Sequence, residues 1–307
     1  MGGPVAAAHF SWNRDAVAAR GRNKGGANVL TFTTLASGSS GNAALVSWGD
    51  THILLDAGIS ARRITTGLKA LGVEASRLSA ILITHEHHDH ISGLPVLTKK
   101  LRVPIYASAP TCGEINRRVP FVEDLLRRQE PGTGAQIGGL WVESFPTPHD
   151  AAGSVGYSIS AEGCRMVLCT DLGHITPEVR RAVEGCDLLA CEANHDEDWV
   201  RSGPYPYPLK RRVLGDYGHL SNEAGAELAA LAVQSGTRTL VLAHLSAENN
   251  TPAHAREVVC RRLQAMGCDP ERDLSLAVAP RGDLGPVYRL ERGRDTVAFR
   301  MREAALC

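Results

Sequence analysis

The sequence carries no net charge, no long apolar run and few cysteines. Its 33 lysine and arginine residues balance 33 aspartate and glutamate residues, so no global positive field draws nucleic acid or an anionic membrane to the protein. Any anion must therefore be bound locally. No stretch approaches the roughly 18 consecutive apolar residues of a membrane-spanning helix, and the first residues lack the apolar core of a signal peptide. We expect a cytoplasmic protein with no membrane partner.

The eight cysteines are sparse for 307 residues, and no two of them form the Cys-x-x-Cys pair of a zinc ribbon. This pattern disfavours both a disulfide scaffold and a structural zinc finger. Cys164, Cys169, Cys186 and Cys191 lie in or beside apolar segments, where a reduced thiol packs as a small core residue. The chain is long enough to bury a large core without crosslinks.

The composition changes after residue 27. Residues 1–27 are rich in alanine, glycine and arginine without a clear period, which predicts a flexible N-terminal extension. Short apolar strands then alternate with helical patterns, so 28–307 is predicted to form one domain. Strand runs followed by helices occur twice, which predicts an α/β fold of two facing sheets with helices outside. Within it, the charged stretch 112–130 predicts a helix, and 132–139 predicts a flexible break.

A cluster of metal-ligand residue types directly follows a predicted buried strand. The strand covers 80–84 and leads into His85-Glu86-His87-His88-Asp89-His90. In an extended segment alternate side chains share a face, so His85, His87 and Asp89 point the same way. If the backbone then bends into a helix, His90 also turns inward. A surface histidine cluster is the alternative, and the preceding apolar strand disfavours it.

Three further residues of ligand type follow other predicted strands. His149 comes after the strand at 140–145, Asp171 after the strand at 165–170, and His244 after the strand at 240–243. Each residue taken singly is more often a cap or a polar core residue. As a set that extends the histidine-rich motif they are better interpreted as ligands on loops held by a rigid sheet. Imidazole and carboxylate donors together suit zinc, manganese or iron.

These motifs resemble those of the metallo-β-lactamase superfamily over 28–307. The closer likeness is to its bacterial WalJ (YycJ) type, and six segments carry it: LASGSSGN at 35–42, THEHHDH at 84–90, CEANHD at 191–196, PLKRRVL at 208–214, GHLSNE at 218–223 and AHLSAENN at 243–250. The resemblance implies a four-layer αββα metallo-β-lactamase-type sandwich with 5′-to-3′ exonuclease activity on DNA and a link to mismatch repair. The Asp-His ending of the first motif differs from true β-lactamases, so β-lactam hydrolysis is not expected.

The resemblance also implies how two divalent metal ions would be held. Zinc or manganese is the family expectation, with iron possible. Asp171 would bridge the two cations, about 3.5 to 4 Å apart, so that they share a hydroxide as the nucleophile. The ligands implied are His85, His87 and His149 for one cation, and Asp89, His90 and His244 for the other.

A candidate general acid lies in the segment Gly218–Ser221. This segment resembles the one that supplies an acid histidine in tRNA 3′-end nucleases, with a glutamate placed like Glu192. We expect Glu192 to fix one ring nitrogen of His219 while the other donates to the leaving oxygen. The alternative is that His219 only precedes a helix that is capped by Ser221.

The candidate substrate contacts are less specific. Charge runs usually mark a solvated face, but Lys210, Arg211 and Arg212 lie between Glu192 and His219 in sequence, which favours contacts to backbone phosphates. The loop at 37–42 is by default a hairpin turn, although its amides could cradle phosphate. Asp56 is expected to hydrogen-bond a ligand or to be a turn residue rather than to bind metal. Further candidate substrate contacts are Ser39, Asn42 and Asn194.

The sequence thus predicts a metal-dependent hydrolase acting on nucleic acid, DNA rather than RNA, and three alternatives stay open. One is an RNA-processing nuclease of the tRNA 3′-end type, although the chain has no evident Gly/Pro-rich arm to grip tRNA. Another is a glyoxalase II-like thioester hydrolase, against which the pairing of Glu192 with His219 argues. The last is a non-enzymatic regulatory metalloprotein. Strand preference, polarity and oligomeric state are not determined.

Overall fold

The apolar segments form strands that assemble into two sheets. The structure, a computed structural model, describes residues 28–291; the predicted extension 1–27 and residues 292–307 lie outside this range. The first sheet contains β1 (Leu30–Ala36), β2 (Ala43–Trp48), β3 (Thr51–Leu55), β4 (Ala80–Leu82), β5 (Ile105–Ala107), β6 (Leu126–Arg128) and β14 (Tyr288–Leu290). The second contains β7 (Gly134–Ile137), β8 (Leu140–Pro146), β9 (Val155–Ala161), β10 (Cys164–Cys169), β11 (Leu188–Glu192), β12 (Thr239–Ala243) and β13 (Ser275–Val278).

The two sheets repeat one topology. Their strand orders are β14-β1-β2-β3-β4-β5-β6 and β13-β12-β11-β10-β9-β8-β7. In the first sheet the pairs from β14 to β3 are antiparallel, and those from β3 to β6 are parallel. In the second sheet β7 to β10 are antiparallel, and β10 to β13 are parallel. Each half of the chain therefore contributes a meander followed by parallel strands.

Helices cover the outer face of each sheet. Side-chain caps start most of the longer ones: the oxygens of Ser60, Ser108, Thr176, Ser221 and Thr251 each accept a hydrogen bond from the amide three residues on. Between residues 28 and 291 no helix is long and apolar enough to cross a membrane. The helices are α1 (Ala61–Ala70), α2 (His88–Ile91), α3 (Leu94–Lys100), α4 (Ala109–Arg118), α5 (Pro177–Val183), α6 (Glu197–Ser202), α7 (Tyr207–Val213), α8 (Asn222–Gln234) and α9 (Pro252–Ala265).

Three apolar cores separate four layers. Phe32 and Tyr157 belong to the core between the two sheets. Ile81 and Leu68 lie in the core between the first sheet and its helices, and Leu189 lies in the equivalent core of the second sheet. The predicted αββα sandwich is therefore confirmed. Three of the cysteines expected in the core are buried there as free thiols: Cys169, Cys186 and Cys191.

Two predictions about the middle of the chain are wrong. The helix predicted over 112–130 ends at Arg118, since a 3₁₀ turn begins at Pro120 and β6 follows at Leu126–Arg128. The flexible break predicted over 132–139 contains β7, which pairs with β8 through a turn where Gly138 has φ 55°. Both strands lie at the edge of a sheet, where pairing with a single neighbour determines the strand and leaves little apolar signal.

The strands bring polar residues from both halves of the chain to one edge of the sandwich. The carboxyl ends of β3 and β4 are followed by Asp56 and His85. In the second sheet β10 and β12 are followed by Asp171 and His244, and β11 ends on Glu192. Parallel strands place these ends side by side, as is usual for sites at the carboxyl edge of a sheet.

Candidate metal centre

The loop after β4 places four ligand-type side chains together. His85 is fully buried directly beyond the strand, and α2 begins right after His87. The ring centroid of His85 lies 4.6 Å from that of His87 and 4.1 Å from that of His90. The short helix thus turns Asp89 and His90 toward the side that His85 faces, which is the bend that the sequence suggested.

His149 completes a group of three histidines with His85 and His87. It follows β8, and its Nε2 lies 3.3 Å from Nδ1 of His87. The Nδ1 of His149 is 3.0 Å from the carbonyl oxygen of Gly218, to which it donates. One ring nitrogen from each of the three histidines therefore lies within 4.8 Å of the other two.

Asp89, His90 and His244 form a second group. Oδ2 of Asp89 lies 3.4 Å from Nε2 of His90 and 3.4 Å from Nε2 of His244, although 155 residues separate Asp89 from His244. Oδ2 of Asp56 lies 2.8 Å from Nδ1 of His90, and Asp56 also accepts hydrogen bonds from the amide and hydroxyl of Thr84. Asp56 therefore orients His90 from behind.

Asp171 lies between the two groups. Its Oδ2 is 3.4 Å from Nε2 of His90, and its Oδ1 is 3.4 Å from Nε2 of His244 and 3.8 Å from Nε2 of His149. The side chain is almost completely buried. This carboxylate therefore contacts histidines of both groups.

The backbone is strained at three of these positions. Asp56, Asp171 and His244 have φ values of 57°, 59° and 55°, in the left-handed region that non-glycine residues seldom adopt. Such conformations cost about 1 to 3 kcal/mol each and persist only where surrounding structure imposes them. In the described residues just one other non-glycine residue, Glu162, has a positive φ. The strain is therefore concentrated where side chains must be directed into the site.

The hydrogen bonds of these side chains leave donor atoms free to bind divalent cations. Nδ1 of His90, His149 and His244 is in each case engaged by an oxygen, so Nε2 of each ring is left facing the site. Within residues 28–291, Nε2 of His85 and Oδ2 of Asp171 are buried with no hydrogen-bond partner. An unpaired buried polar atom costs about 1 to 3 kcal/mol. Bound cations would satisfy both atoms.

The electrostatics of the site also favour positive charge. Burial, followed by the neighbouring histidines, lowers the pKa of His85 well below its ordinary value, and a neutral imidazole is the form that binds metal. Burial opposes a charge on His244, yet Asp171 and the carboxylates of Asp89 and Glu192 outweigh it and raise the pKa of His244 to about 10. The carboxylates thus make the site attractive to cations.

Glu192 connects His219 to the second group. Its Oε1 lies 2.9 Å from Nδ1 of His219 and 2.8 Å from Nδ1 of His244, while Oε2 accepts hydrogen bonds from the amides of Leu172 and Leu220. Burial raises the pKa of Glu192, but the charge and hydrogen bonds of the two histidines outweigh it and hold the pKa below its ordinary range. The contact with His244 could not be inferred from sequence spacing.

The segment Gly218–Ser221 also contains the helix cap that the sequence offered as its alternative role. The Ser221 hydroxyl accepts a hydrogen bond from the Ala224 amide and caps α8. His219 lies two residues earlier, with its ring centroid 5.0 Å from that of His149 and 5.3 Å from that of His244. A helix cap and a histidine at the site therefore coexist in this segment.

The predicted basic residues on α7 differ in their positions. Arg212 donates two hydrogen bonds to Asp150, whose Oδ1 lies 3.5 Å from Nε2 of His149. Nζ of Lys210 instead donates to the carbonyl of Arg201 at 2.6 Å, and Arg211 is exposed. Arg212 is thus the member of this run that reaches the site. Asp150 was not predicted as a site residue, because its only signal in the sequence is its position directly after His149.

The other candidate substrate residues lie at different depths. Ser39 is exposed in the turn between β1 and β2. Asn42 is buried, accepts a hydrogen bond from the Gly38 amide and places Nδ2 3.1 Å from Nε2 of His90. Asn194 is buried as well, and its Nδ2 donates to the carbonyl of His244 at 2.7 Å. Asn42 therefore lies against the site-facing nitrogen of His90, Asn194 holds the backbone of His244, and only Ser39 of the three is exposed.

Comparison with known proteins places this geometry in a family. A family model described as a β-lactamase superfamily domain matches residues 51–245. Exodeoxyribonuclease YycJ of Bacillus anthracis is 35% identical over 239 residues, which cover 78% of this chain and 90% of that protein. Exodeoxyribonuclease WalJ of Streptococcus pneumoniae (strain D39) is 37% identical over 235 residues, which cover 76% of this chain and 87% of that protein.

Solved structures share the architecture at lower identity. The metallo-β-lactamase fold protein YhfI from Bacillus subtilis is 18% identical, with a TM-score of 0.64 over 85% of this chain and all of that one. Zn²⁺-bound PqqB from Methylobacterium extorquens is 19% identical, with a TM-score of 0.61 over 85% of this chain and 99% of that one. At these identities the likeness establishes the fold.

Proposed function

Because this chain belongs to the β-lactamase superfamily, in the group of the exodeoxyribonucleases YycJ and WalJ, and is a metal-dependent hydrolase, we propose that it is a dinuclear phosphodiesterase that removes nucleotides from DNA ends. The observation that carries the proposal is the pair of ligand groups joined by Asp171, with the hydrogen-bonded pair of Glu192 and His219 beside them. A thioester hydrolase needs no such additional acid, whereas the alkoxide that leaves a phosphodiester does.

The residues divide into those that would hold metal and those that act on the substrate. His85, His87 and His149 would hold one cation, and Asp171 would be shared with the other. The second cation would be held by Asp89, His90 and His244. A cation pair of this kind polarises phosphoryl oxygens and lowers the pKa of water until hydroxide is available near neutral pH.

His219 would act as the general acid. Its Nδ1 hydrogen-bonds to Glu192, which leaves Nε2 as the nitrogen that delivers a proton to the leaving oxygen. Its side chain keeps 17% exposure, and those of His87 and Asp89 keep 25% and 24%, whereas the other ligand-type side chains are closed off. Substrate therefore reaches the centre from the side that His87, Asp89 and His219 share.

The choice of DNA, the 5′-to-3′ polarity, the use of zinc or manganese and a role in DNA repair are parts of the same proposal. The first is supported by the activity for which YycJ and WalJ are named. Arg212, held by Asp150 beside His149, supplies a local cation for a backbone phosphate in a protein that has no net charge. Ser39 is a further candidate contact at the surface.

The proposal is tested with metal-stripped protein reloaded with Zn²⁺ or Mn²⁺. Single-stranded DNA and duplex DNA labelled at either end, RNA of the same sequence and a glutathione thioester are supplied in parallel. An Asp171→Asn variant purified in the same way controls for contaminating nucleases. We expect mononucleotides to be released from DNA starting at the 5′ end by the wild type alone.

Hydrolysis of the thioester alone would refute the proposal, and so would a preference for RNA. Equal DNA cleavage by the Asp171→Asn protein would trace the activity to a contaminant and likewise count against it. Release of nucleotides from the 3′ end would refute the proposed 5′-to-3′ direction but not the proposed exonuclease activity.

A further inference from the structure

Tyr217 is an exposed aromatic residue at the rim of the metal centre. It is 63% exposed, and it precedes His219 by two residues. Its carbonyl oxygen accepts a hydrogen bond from the Asp150 amide at 3.0 Å. The next carbonyl in the chain, that of Gly218, accepts from Nδ1 of His149. The backbone of Tyr217 is therefore tied to the loop that supplies a ligand-type histidine.

This exposure is not the result of a loosely held loop. The carbonyl of Asp216 accepts a hydrogen bond from Nδ1 of His174 at 2.9 Å. The backbone of Asp216 packs against Gly173 so closely that a Cβ at Gly173 would lie 2.3 Å from it. The Gly218 amide donates to the carbonyl of Gly215 at 2.8 Å and closes the turn. The Tyr217 backbone is thus fixed while its side chain remains open to solvent.

Asp150 connects Tyr217 to a positive charge. Its carboxylate holds the guanidinium of Arg212, and its amide holds the carbonyl of Tyr217. The guanidinium of Arg212 and the backbone of an exposed tyrosine therefore meet at Asp150, the residue that follows His149. This combination matches a nucleotide, which offers a phosphate to the cation and a planar base to the ring.

We propose that Tyr217 forms a stacking subsite for an unpaired nucleobase next to the cleaved phosphodiester. This inference rests on the proposed function, since it takes the substrate to be a nucleic acid. Two other exposed aromatic residues are engaged or remote: Trp199 stacks on His254, and Trp141 lies at the far end of β8. Because every base has a flat apolar face, the subsite accepts any base, and it requires the end of the strand to be unpaired.

The test combines variants of Tyr217 with a substrate that lacks one base. The probe is a 5′-phosphorylated single-stranded oligonucleotide, either intact or with a tetrahydrofuran residue replacing the terminal nucleoside. Tyr217→Ala should raise KM and the dissociation constant for the intact strand about tenfold, the order of one lost base–aromatic stack, with kcat little changed. Tyr217→Phe and Tyr217→Trp should restore wild-type values. The wild type should bind the abasic probe more weakly than the intact strand by a similar factor, whereas Tyr217→Ala should bind the two probes equally well.

Trp141→Ala is the matched control. Trp141 is 41% exposed but lies five residues before the end of β8, roughly 16 Å from the site by strand length. We expect this variant to bind and cleave the intact strand like the wild type.

The inference is overturned if Tyr217→Ala discriminates between intact and abasic strands as well as the wild type does. It is also overturned if Tyr217→Phe loses as much affinity as Tyr217→Ala, because the hydroxyl would then be the contact. Tyr217-dependent binding without cleavage of any strand would refute the proposed nuclease activity and leave the subsite standing. A protein that neither binds nor cleaves DNA would overturn both.

Discussion

Replacing Glu192 with glutamine tests the link between proton donation and metal binding. The buried carboxylate accepts from four donors: Nδ1 of His219, Nδ1 of His244 and the amides of Leu172 and Leu220. A glutamine of the same shape offers one carbonyl oxygen and turns an N–H toward the remaining donors, so about two of the four hydrogen bonds are lost. Each charged hydrogen bond contributes about 1.5 to 3 kcal/mol, so the loss of two costs about 3 to 6 kcal/mol of free energy. This cost is divided among folding stability, metal affinity and the activation barrier for turnover.

The loss of free energy should appear as weaker metal binding through His244 and as slower turnover through His219. Losing the partner of His244 should lower the affinity for one of the two cations by about 10- to 100-fold. Losing the partner of His219 should lower turnover at saturating metal by about 10² to 10⁴, the range of a general acid. Metal affinity is measured by competition with a chromogenic chelator, and turnover on labelled single-stranded DNA. Glu143→Gln makes the same chemical change at an exposed position of β8 and should alter neither quantity.

A double variant separates the two routes. If Glu192 promotes turnover through His219, then Glu192→Gln combined with His219→Ala should turn over no more slowly than His219→Ala alone at saturating metal. Effects that multiply in the double variant would refute the positioning role. Unchanged metal affinity in Glu192→Gln would refute the proposed support of His244.

Three further outcomes follow from the geometry. His219→Ala should cut turnover by about 10²- to 10⁴-fold while elemental analysis finds the wild-type metal content, and metal loss would instead assign His219 to the ligands. Asp56→Ala removes the hydrogen-bond acceptor of Nδ1 of His90 and should lower the affinity for one cation about 10- to 100-fold, as measured by chelator competition. An unchanged affinity would contradict the conclusion that Asp56 orients His90. Neutralising Lys210, Arg211 and Arg212 should weaken DNA binding. Because Arg212 alone reaches the site, the slope of log affinity against log salt concentration should fall in magnitude by about one. A change near three would instead show that all three side chains contact phosphates.

The interior strands and the ligand motif were predictable because their signals are local. A continuous apolar run marks a buried strand, and the strand predicted at 240–243 is present as β12 (Thr239–Ala243). The family and the fold class, which the resemblance implied, are confirmed. The role of each ligand-type residue stays a prediction, although the structure brings the named side chains together.

The edges of the sheets and the rim of the site were less predictable. The edge strands β6 and β7 carry charged and glycine residues, and a charged run such as Leu126–Arg128 has no apolar pattern to mark it. The helices α6 and α7 were also missed, because prolines and a glycine interrupt that part of the chain. Asp150 and Tyr217 follow no motif, and their importance comes from contacts across loops that are 67 residues apart in the chain.

The sequence by itself determined which donors the chain carries and that each stands just beyond the end of a strand. That information is local, because the alternation of side chains along a strand and the start of a helix depend on neighbouring residues. Only the tertiary structure decided that Asp171 lies between two groups of histidines and that one oxygen of Glu192 serves both His219 and His244. These contacts depend on strand order and on the left-handed backbone at Asp171 and His244, a conformation that surrounding structure has to impose.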